Sequence, residues 1–297
     1  MSIINLVLRF AAVLALSLSL LAPSPLLAGD APVFESLSVL NTQAPGQTGL
    51  EWNADVASDG KGKWLAVWHS TNTLGDKIGR DWDILVAGST DAGMTWSAPR
   101  PLNSNAAKDS GNDRSPVVMS AGKGAWLALW TSADSLGGTI ALDWDILWAR
   151  SEDGGETWSA PRPLNGNAAT DWGDDEDARL DTDGSGNWVA VWSSSDTLGN
   201  TIGGDGDILV ARSGDGGKSW GPPSALNINA REDSGYDLSP SVASDGSDNW
   251  VAVWSSGESL GGLIGLDRDI LVSRSGDGGD TWSAPAALNT NAGKDSR

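Results

Sequence analysis

The segment Ser151-Glu152-Asp153-Gly154-Gly155-Glu156-Thr157-Trp158 decides the fold of this chain, because its pattern occurs four times. The pattern is Ser-x-Asp-x-Gly-x-Ser/Thr-Trp, and successive copies are always 62 residues apart. A motif held at a fixed long period indicates one supersecondary unit that is stacked repeatedly. The Asp, Gly and Trp of the four copies are Asp91, Gly93 and Trp96; Asp153, Gly155 and Trp158; Asp215, Gly217 and Trp220; and Asp277, Gly279 and Trp282.

Each repeat has the pattern of four short strands. In the second repeat these strands are predicted at residues 115–120, 125–132, 146–151 and 157–164, with glycine-rich turns between them and no helical periodicity. The second strand of a repeat is apolar on both faces: Trp64 and Trp68 share one face, while Leu65 and Val67 fill the other. An antiparallel strand of this kind must be covered on both faces. The sequence therefore predicts an all-β protein, a β-propeller of four-stranded antiparallel blades.

The repeats also predict the domain boundaries. Residues 29–297 form one propeller domain with blades at about 53–102, 115–164, 177–226 and 239–288, preceded by an extra outer strand at 33–40. That extra strand matches the fourth strand of a blade, and the last residues match a linker that leads to a first strand. We therefore favour an incomplete or open ring over a closed ring of four blades, whose ends would be disordered.

The repeated motif has a structural explanation. Its Asp is expected to accept hydrogen bonds from its own turn, its Gly to adopt a positive φ, and its Trp to anchor the turn on the core. With these features the four motifs resemble the Asp-box, or bacterial neuraminidase repeat, of the sialidase superfamily, and the resemblance covers about residues 33–297. In that superfamily the boxes lie between the third and fourth strands of a blade, away from the active site, and many Asp-box proteins are not glycosidases.

The ends and the composition restrict the function further. Residues 1–28 have the charged start, apolar stretch and small final residue of a secretory signal, so we expect a secreted, periplasmic or cell-surface protein. An uncleaved anchor is the alternative, and no later segment is long enough to span a membrane. The net charge of −20 opposes binding to nucleic acid. With no cysteine and a single histidine, zinc sites of the Cys and His type are excluded.

The resemblance implies a specific set of residues if the protein is a sialidase. That family uses three arginines for the substrate carboxylate, a Tyr nucleophile activated by Glu, and an Asp acid/base. Arg114-Ser115-Pro116 keeps the Arg-x-Pro part of a family motif, whereas the same slot holds other residues in the other repeats. The implied catalytic set is Arg114, Arg179, Arg231, Tyr236 and Glu232. The alternative for Arg114 is an ordinary surface arginine.

Other repeated positions have simpler interpretations. Arg150, Arg212 and Arg274 share one slot beside the Asp-box, which favours a structural role. His69 takes a slot that Thr131 and Ser193 fill elsewhere, so we predict a surface strand residue.

Aspartates recur at two further places in each repeat. An Asp-x-Asp pair precedes every third strand, as in Asp81 and Asp83, and both carboxylates of a pair are expected to point the same way. A second set, including Asp109 and Asp113, lies in the linker between repeats. Carboxylates and turn carbonyls are ligands for calcium, although capping of turns is the alternative. We expect no required cofactor, with calcium as the one candidate.

Near-identity between the blades favours a binding or scaffold role, because a catalytic centre breaks their equivalence. We therefore favour a secreted propeller that binds an extracellular glycan or protein over an enzyme. The first alternative is an exo-α-sialidase or related glycoside hydrolase, and the second is a structural repeat of a larger extracellular protein.

Overall fold

Four antiparallel sheets account for all the strands in the part of the chain that the computed structural model describes, namely Leu40, residues 49–265 and residues 267–294. The predicted signal at 1–28 and, apart from Leu40, the predicted strand at 33–40 lie outside these residues. The first two sheets consist of β1 (Glu51–Ser58), β2 (Trp64–Ser70), β3 (Asp83–Ser89) and β4 (Arg100–Pro101), and of β5 (Asp113–Gly122), β6 (Ala125–Ser132), β7 (Asp145–Ser151) and β8 (Arg162–Pro163). The other two consist of β9 (Asp175–Thr182), β10 (Trp188–Ser194), β11 (Asp207–Ser213) and β12 (Ser224–Ala225), and of β13 (Asp237–Ser244), β14 (Trp250–Ser256), β15 (Asp269–Ser275) and β16 (Ala286–Ala287).

Strands are hydrogen-bonded in chain order within every sheet, as the four-strand pattern predicts. The predicted length of the fourth strand, residues 157–164, is wrong, because β8 contains only Arg162 and Pro163. The chain between the Asp-box and β8 turns back on itself, and the Ser159 N–H donates to the Arg150 carbonyl at 2.9 Å. Pro161 and Pro163 have no N–H to donate to a ladder. The local sequence therefore limits the outer strand to two residues.

Adjacent sheets pack face to face through their central strands. Trp126 and Trp130 of the second sheet are fully buried and share a core with Leu65 and Val67 of the first. The opposite face of the same strand, which includes Leu127, packs on the third sheet. The third and fourth sheets meet in the same way. Burial on both faces, predicted from the sequence, is confirmed, and it places the core between the sheets.

The Asp-box forms a closed local network. Asp153 accepts hydrogen bonds from the Ser151 hydroxyl at 2.8 Å, the Thr157 N–H at 2.9 Å and the Thr157 hydroxyl at 2.6 Å. These bonds, above all those from Thr157, lower the pKa of the Asp153 carboxyl. Trp158 packs against the core between the first two sheets. The box is therefore a structural turn that is anchored on the core of its blade, as its sequence predicts.

The box also joins its sheet to the preceding one. Gly155 has a φ of +83° and lies so close to the first sheet that an added Cβ would be 2.4 Å from Leu65 Cδ1. The Arg100 guanidinium donates to the Gly155 carbonyl. Arg150, which occupies a different position of its repeat, donates to the carbonyl of Gly216 in the next box. The structural role predicted for the Arg150 slot therefore has a physical basis in contacts between sheets.

Closure of a ring is not observed among the described residues. Ile84 of the first sheet packs against the second, and Leu85 lies in a small cluster beside Leu40. No strand of the first sheet makes an extensive contact with a strand of the fourth within this part of the chain. Val251 and Ile270 of the fourth sheet are 40% and 41% exposed, whereas the equivalent Val189 and Ile208 are fully buried. The outer face of the fourth sheet is thus more open than those of the inner sheets.

We expect Gly155→Ala to destabilise the protein more than Gly154→Ala. Both glycines have a φ near +80°, so the backbone strain is similar. The Cβ of the first variant meets the packed Leu65, whereas that of the second meets only the flexible end of Lys63. Overpacking should therefore add about 1–3 kcal/mol to the loss of unfolding free energy in Gly155→Ala. Urea denaturation measures the difference, and equal losses would show that this contact does not hold the sheets together.

Candidate functional site

A bulge in the first strand of every sheet shapes one end of the molecule. The pairing register of β1 with β2 breaks between Trp52 and Asp55, and the other first strands break at the same place. A left-handed residue occupies each bulge: Asn53 (φ 47°), Ser115 (52°), Asp177 (56°) and Ser239 (53°). Bulges redirect neighbouring side chains and are common beside functional sites. Just before the left-handed residue, the four repeats carry chemically different side chains: Trp52, Arg114, Glu176 and Leu238.

A cavity of about 510 Å³ lies at this end of the first three sheets. Its walls come from the bulges, from the last residues of second strands and from the central residue of two Asp-x-Asp pairs. The side chains that dominate it are Trp52, His69, Trp82, Arg114, Trp144 and Glu176. Of these, sequence reasoning selected only Arg114. The available signal was that Trp82 and Trp144 are replaced by Gly206 and Arg268 in the later repeats.

Three aromatic rings form one side of the cavity. The ring centroids of Trp52 and Trp82 are 5.7 Å apart at an angle of 47°. His69 meets the Trp82 ring edge-on, with centroids 4.7 Å apart and planes at 77°. Trp52 remains 59% exposed, so a large indole surface faces the solvent here. Such rings provide apolar contact area with little conformational freedom to lose on binding.

A charged pair also lines the cavity. The Arg114 guanidinium carbon lies 3.7 Å from the centre of the Trp144 ring, within the range of cation–π contacts. The same guanidinium donates a hydrogen bond to Glu176 Oε1 from the next sheet. Both charged side chains are partly open to solvent. Arg114 is therefore held in one orientation by two neighbours, while its side chain remains 39% exposed.

His69 is buried, and the prediction of a surface position is wrong. The end of β2 runs under the bulges, where Trp52 and Trp82 cover the imidazole. The Ser115 N–H donates to His69 Nδ1 at 3.2 Å, which requires Nδ1 to be unprotonated. Burial first, and then the charge of Arg114, lower the pKa of His69. His69 is thus a neutral wall of the cavity at pH 7.

The predicted catalytic residues Arg114 and Arg179 line two different cavities. Arg114 lines the cavity, whereas Arg179 is exposed on β9 and lines a neighbouring cavity of about 550 Å³ along the first strands. Tyr236 is 59% exposed with its ring beside Gly206. Within the described residues, no recorded hydrogen bond or ion pair joins Arg231, Glu232 or Tyr236 to Arg114. The catalytic role of this set stays a prediction.

Aspartates also gather at three junctions between sheets. In each group the Asp-x-Asp pair meets the linker aspartate that follows, with one carboxylate oxygen from each within 4.8 Å of the others. A buried Asn side chain lies among them. The groups are Asp81, Asp83 and Asp109; Asp143, Asp145 and Asp171; and Asp205, Asp207 and Asp233. They are the sites where the described residues offer oxygen ligands to a cation.

The fold of this chain is a β-propeller of the architecture found in sialidases and arabinanases. The model of the BNR repeat-like domain matches residues 62–296, and the chain belongs to that family. A comparison with curated proteins finds no match. Among the described residues, no helix is long and apolar enough to cross a membrane.

Three solved structures illustrate the likeness of fold. A protein of unknown function from Dyadobacter fermentans DSM 18053 is 16% identical, with a TM-score of 0.56 over 81% of this chain and 70% of that one. An α-L-arabinanase from Penicillium chrysogenum complexed with arabinobiose is 19% identical, with a TM-score of 0.55 over 82% and 68%. The Hadza microbial sialidase Hz136 is 16% identical, with a TM-score of 0.51 over 79% and 46%, so this chain spans less than half of that sialidase.

His69 provides a test of the cavity, because it is the only histidine in the chain. Its imidazole NMR signals should titrate with a midpoint below the ordinary pKa of 6.5. A lowered pKa means that its stabilising contribution is complete above pH 6.5 and is lost as the pH falls. Arg114→Ala should move the midpoint upwards, and Arg179→Ala should leave it unchanged. A wild-type midpoint at or above 6.5 would contradict this geometry.

Proposed function

We propose that the cavity binds a neutral saccharide and that the protein is an exported glycan-binding module. The observation that carries the proposal is the set of three tryptophans, Trp52, Trp82 and Trp144, which converge on one cavity with hydrogen-bonding side chains between them. Export is supported by the signal-like pattern of residues 1–28.

A saccharide suits this lining for a physical reason. A sugar ring has an apolar C–H face and a rim of hydroxyl groups, so it needs aromatic surface and polar partners together. The exposed indole of Trp52 provides the first, and Asn53, Asn112 and Asp177 provide the second. The cavity volume of about 510 Å³ falls in the range of small-molecule sites.

The charges favour a neutral saccharide over a sialoside. Arg114, the one cation among the lining residues, is already paired with Glu176. Asp177 adds a negative charge and His69 is neutral, so a ligand carboxylate would meet no free positive charge in this lining. The net charge of the chain, −20, opposes an anionic ligand as well.

The known proteins of similar fold support a glycan as ligand. The arabinanase was solved with arabinobiose, and another of these structures is a sialidase. At 16–19% identity the likeness concerns the fold, so the lining of the cavity carries the choice of ligand. Hydrolysis is the alternative function that an experiment must separate from binding.

We expect Trp82→Ala to weaken saccharide binding about tenfold or more, because it removes an aromatic wall of the cavity. Trp172→Ala is the matched control, since Trp172 is 79% exposed and lies outside the cavity lining. A glycan array of neutral and sialylated oligosaccharides would select the ligand, and isothermal titration calorimetry would compare the variants.

Two results would overturn this function. One is the absence of binding to any neutral saccharide on the array. The other is turnover of a fluorogenic sialoside or arabinofuranoside by the wild type that is abolished in Tyr236→Phe, because it would show that the predicted catalytic set is active.

A further inference from the structure

We propose that the three aspartate groups between the sheets are calcium sites that fasten each blade to the next. The second repeat gives the clearest example, with Asp143, Asp145 and Asp171. Asp145 is the first residue of β7, and Asp171 lies in the linker that leads to β9. The group therefore joins two sheets through one small volume.

One amide serves several carboxylates in each group. Asn165 Nδ2 donates to Asp145 Oδ1 at 2.8 Å and to Asp171 Oδ2 at 3.2 Å. An amide has only two such hydrogens, and the nearby carboxylates carry more oxygen atoms than it can satisfy. Asn103 in the first repeat is similarly shared, with 2.9 Å to Asp83 and 3.5 Å to Asp109, and it also donates to Asp113 of β5 at 2.8 Å. The amides position the carboxylates but do not neutralise them.

Buried carboxylate oxygens without a partner favour the binding of a cation between them. Asp145 is 1% exposed and Asp171 is 6% exposed. Asp145 Oδ2 and Asp171 Oδ1 have no hydrogen-bond partner in the described structure, and neither has either oxygen of Asp143. Buried anions without a counter-charge are costly. None of the ion pairs recorded for the described residues involves these three aspartates.

The electrostatics agree with this geometry. Burial raises the pKa of Asp145 to about 7 and that of Asp171 to about 6, with further repulsion from neighbouring aspartates. Asp83 and Asp207 are raised to about 7 in the same way. A divalent cation bound between the carboxylates would offset their mutual repulsion.

The ligand type favours calcium. All the donors in the three groups are carboxylate oxygens, and those of one group lie within 4.8 Å of one another, close enough to contact a single cation. Calcium accepts irregular cages of protein oxygens, whereas magnesium prefers a regular octahedron and keeps several waters.

The sites are repeated because the junction is repeated. Asp83 and Asp207 take the place of Asp145, while Asp109 and Asp233 take that of Asp171. In the fourth repeat, Asp267 and Asp269 are described, but the corresponding linker position lies outside the described residues. The stoichiometry expected is therefore at least three calcium ions per chain.

Calorimetric titration of the chelator-treated full chain with calcium chloride tests the proposal. We expect at least three ions to bind and the melting temperature to rise with calcium and to return with chelator. Asp145→Asn should lower the stoichiometry by one. Its melting temperature in chelator should equal or exceed that of the wild type, because the variant removes a buried charge that lacks a partner. Asp248→Asn, an exposed aspartate outside the groups, should change neither value.

Three outcomes would overturn the proposal: no binding heat together with no change in melting temperature, an unchanged stoichiometry in Asp145→Asn, or equal affinity for magnesium. Asp207→Asn provides a second variant at another junction, so a folding defect of Asp145→Asn would not leave the question undecided.

Discussion

The structure depends on the burial of both faces of each central strand. A strand such as β6, with Trp126 and Trp130 on one face and Leu127 and Leu129 on the other, cannot be stable beside water on either side. Sheets must therefore stack, and each of the two inner sheets supplies one half of two cores. The Asp-box contributes to the same stacking of sheets. The Gly155 backbone packs against Leu65 of the preceding sheet, and Arg100 of that sheet donates a hydrogen bond to the Gly155 carbonyl.

The side chains of the four repeats are not chemically equivalent at the cavity. At the first-strand bulge the four sheets present Trp52, Arg114, Glu176 and Leu238, although the backbone has the same left-handed turn in each. The fold thus fixes the direction of these side chains and leaves their chemistry free. A repeat protein can build an asymmetric binding site in this way without disturbing the packing of its sheets.

At the junctions between sheets, the physical constraint is the electrostatic repulsion between buried carboxylates. Each buries several carboxylates around a single asparagine, in a region where solvation is poor and like charges face each other. Trp82 and Trp144 stand between the two aspartates of their pairs, so the aspartate groups adjoin the cavity through the chain itself.

The sequence by itself determined the repeat, the all-β class, the stacking of sheets and the structural role of Asp153 and its equivalents, because these follow from local turn chemistry and period-two burial. The sequence analysis overestimated the length of the outer strands, because prolines and the turn after the Asp-box end the β-ladder. Only the tertiary structure decided the cavity. Trp52 and His69 come from the first sheet and Glu176 from the third, and the sequence does not reveal that the bulges bring them to one cavity.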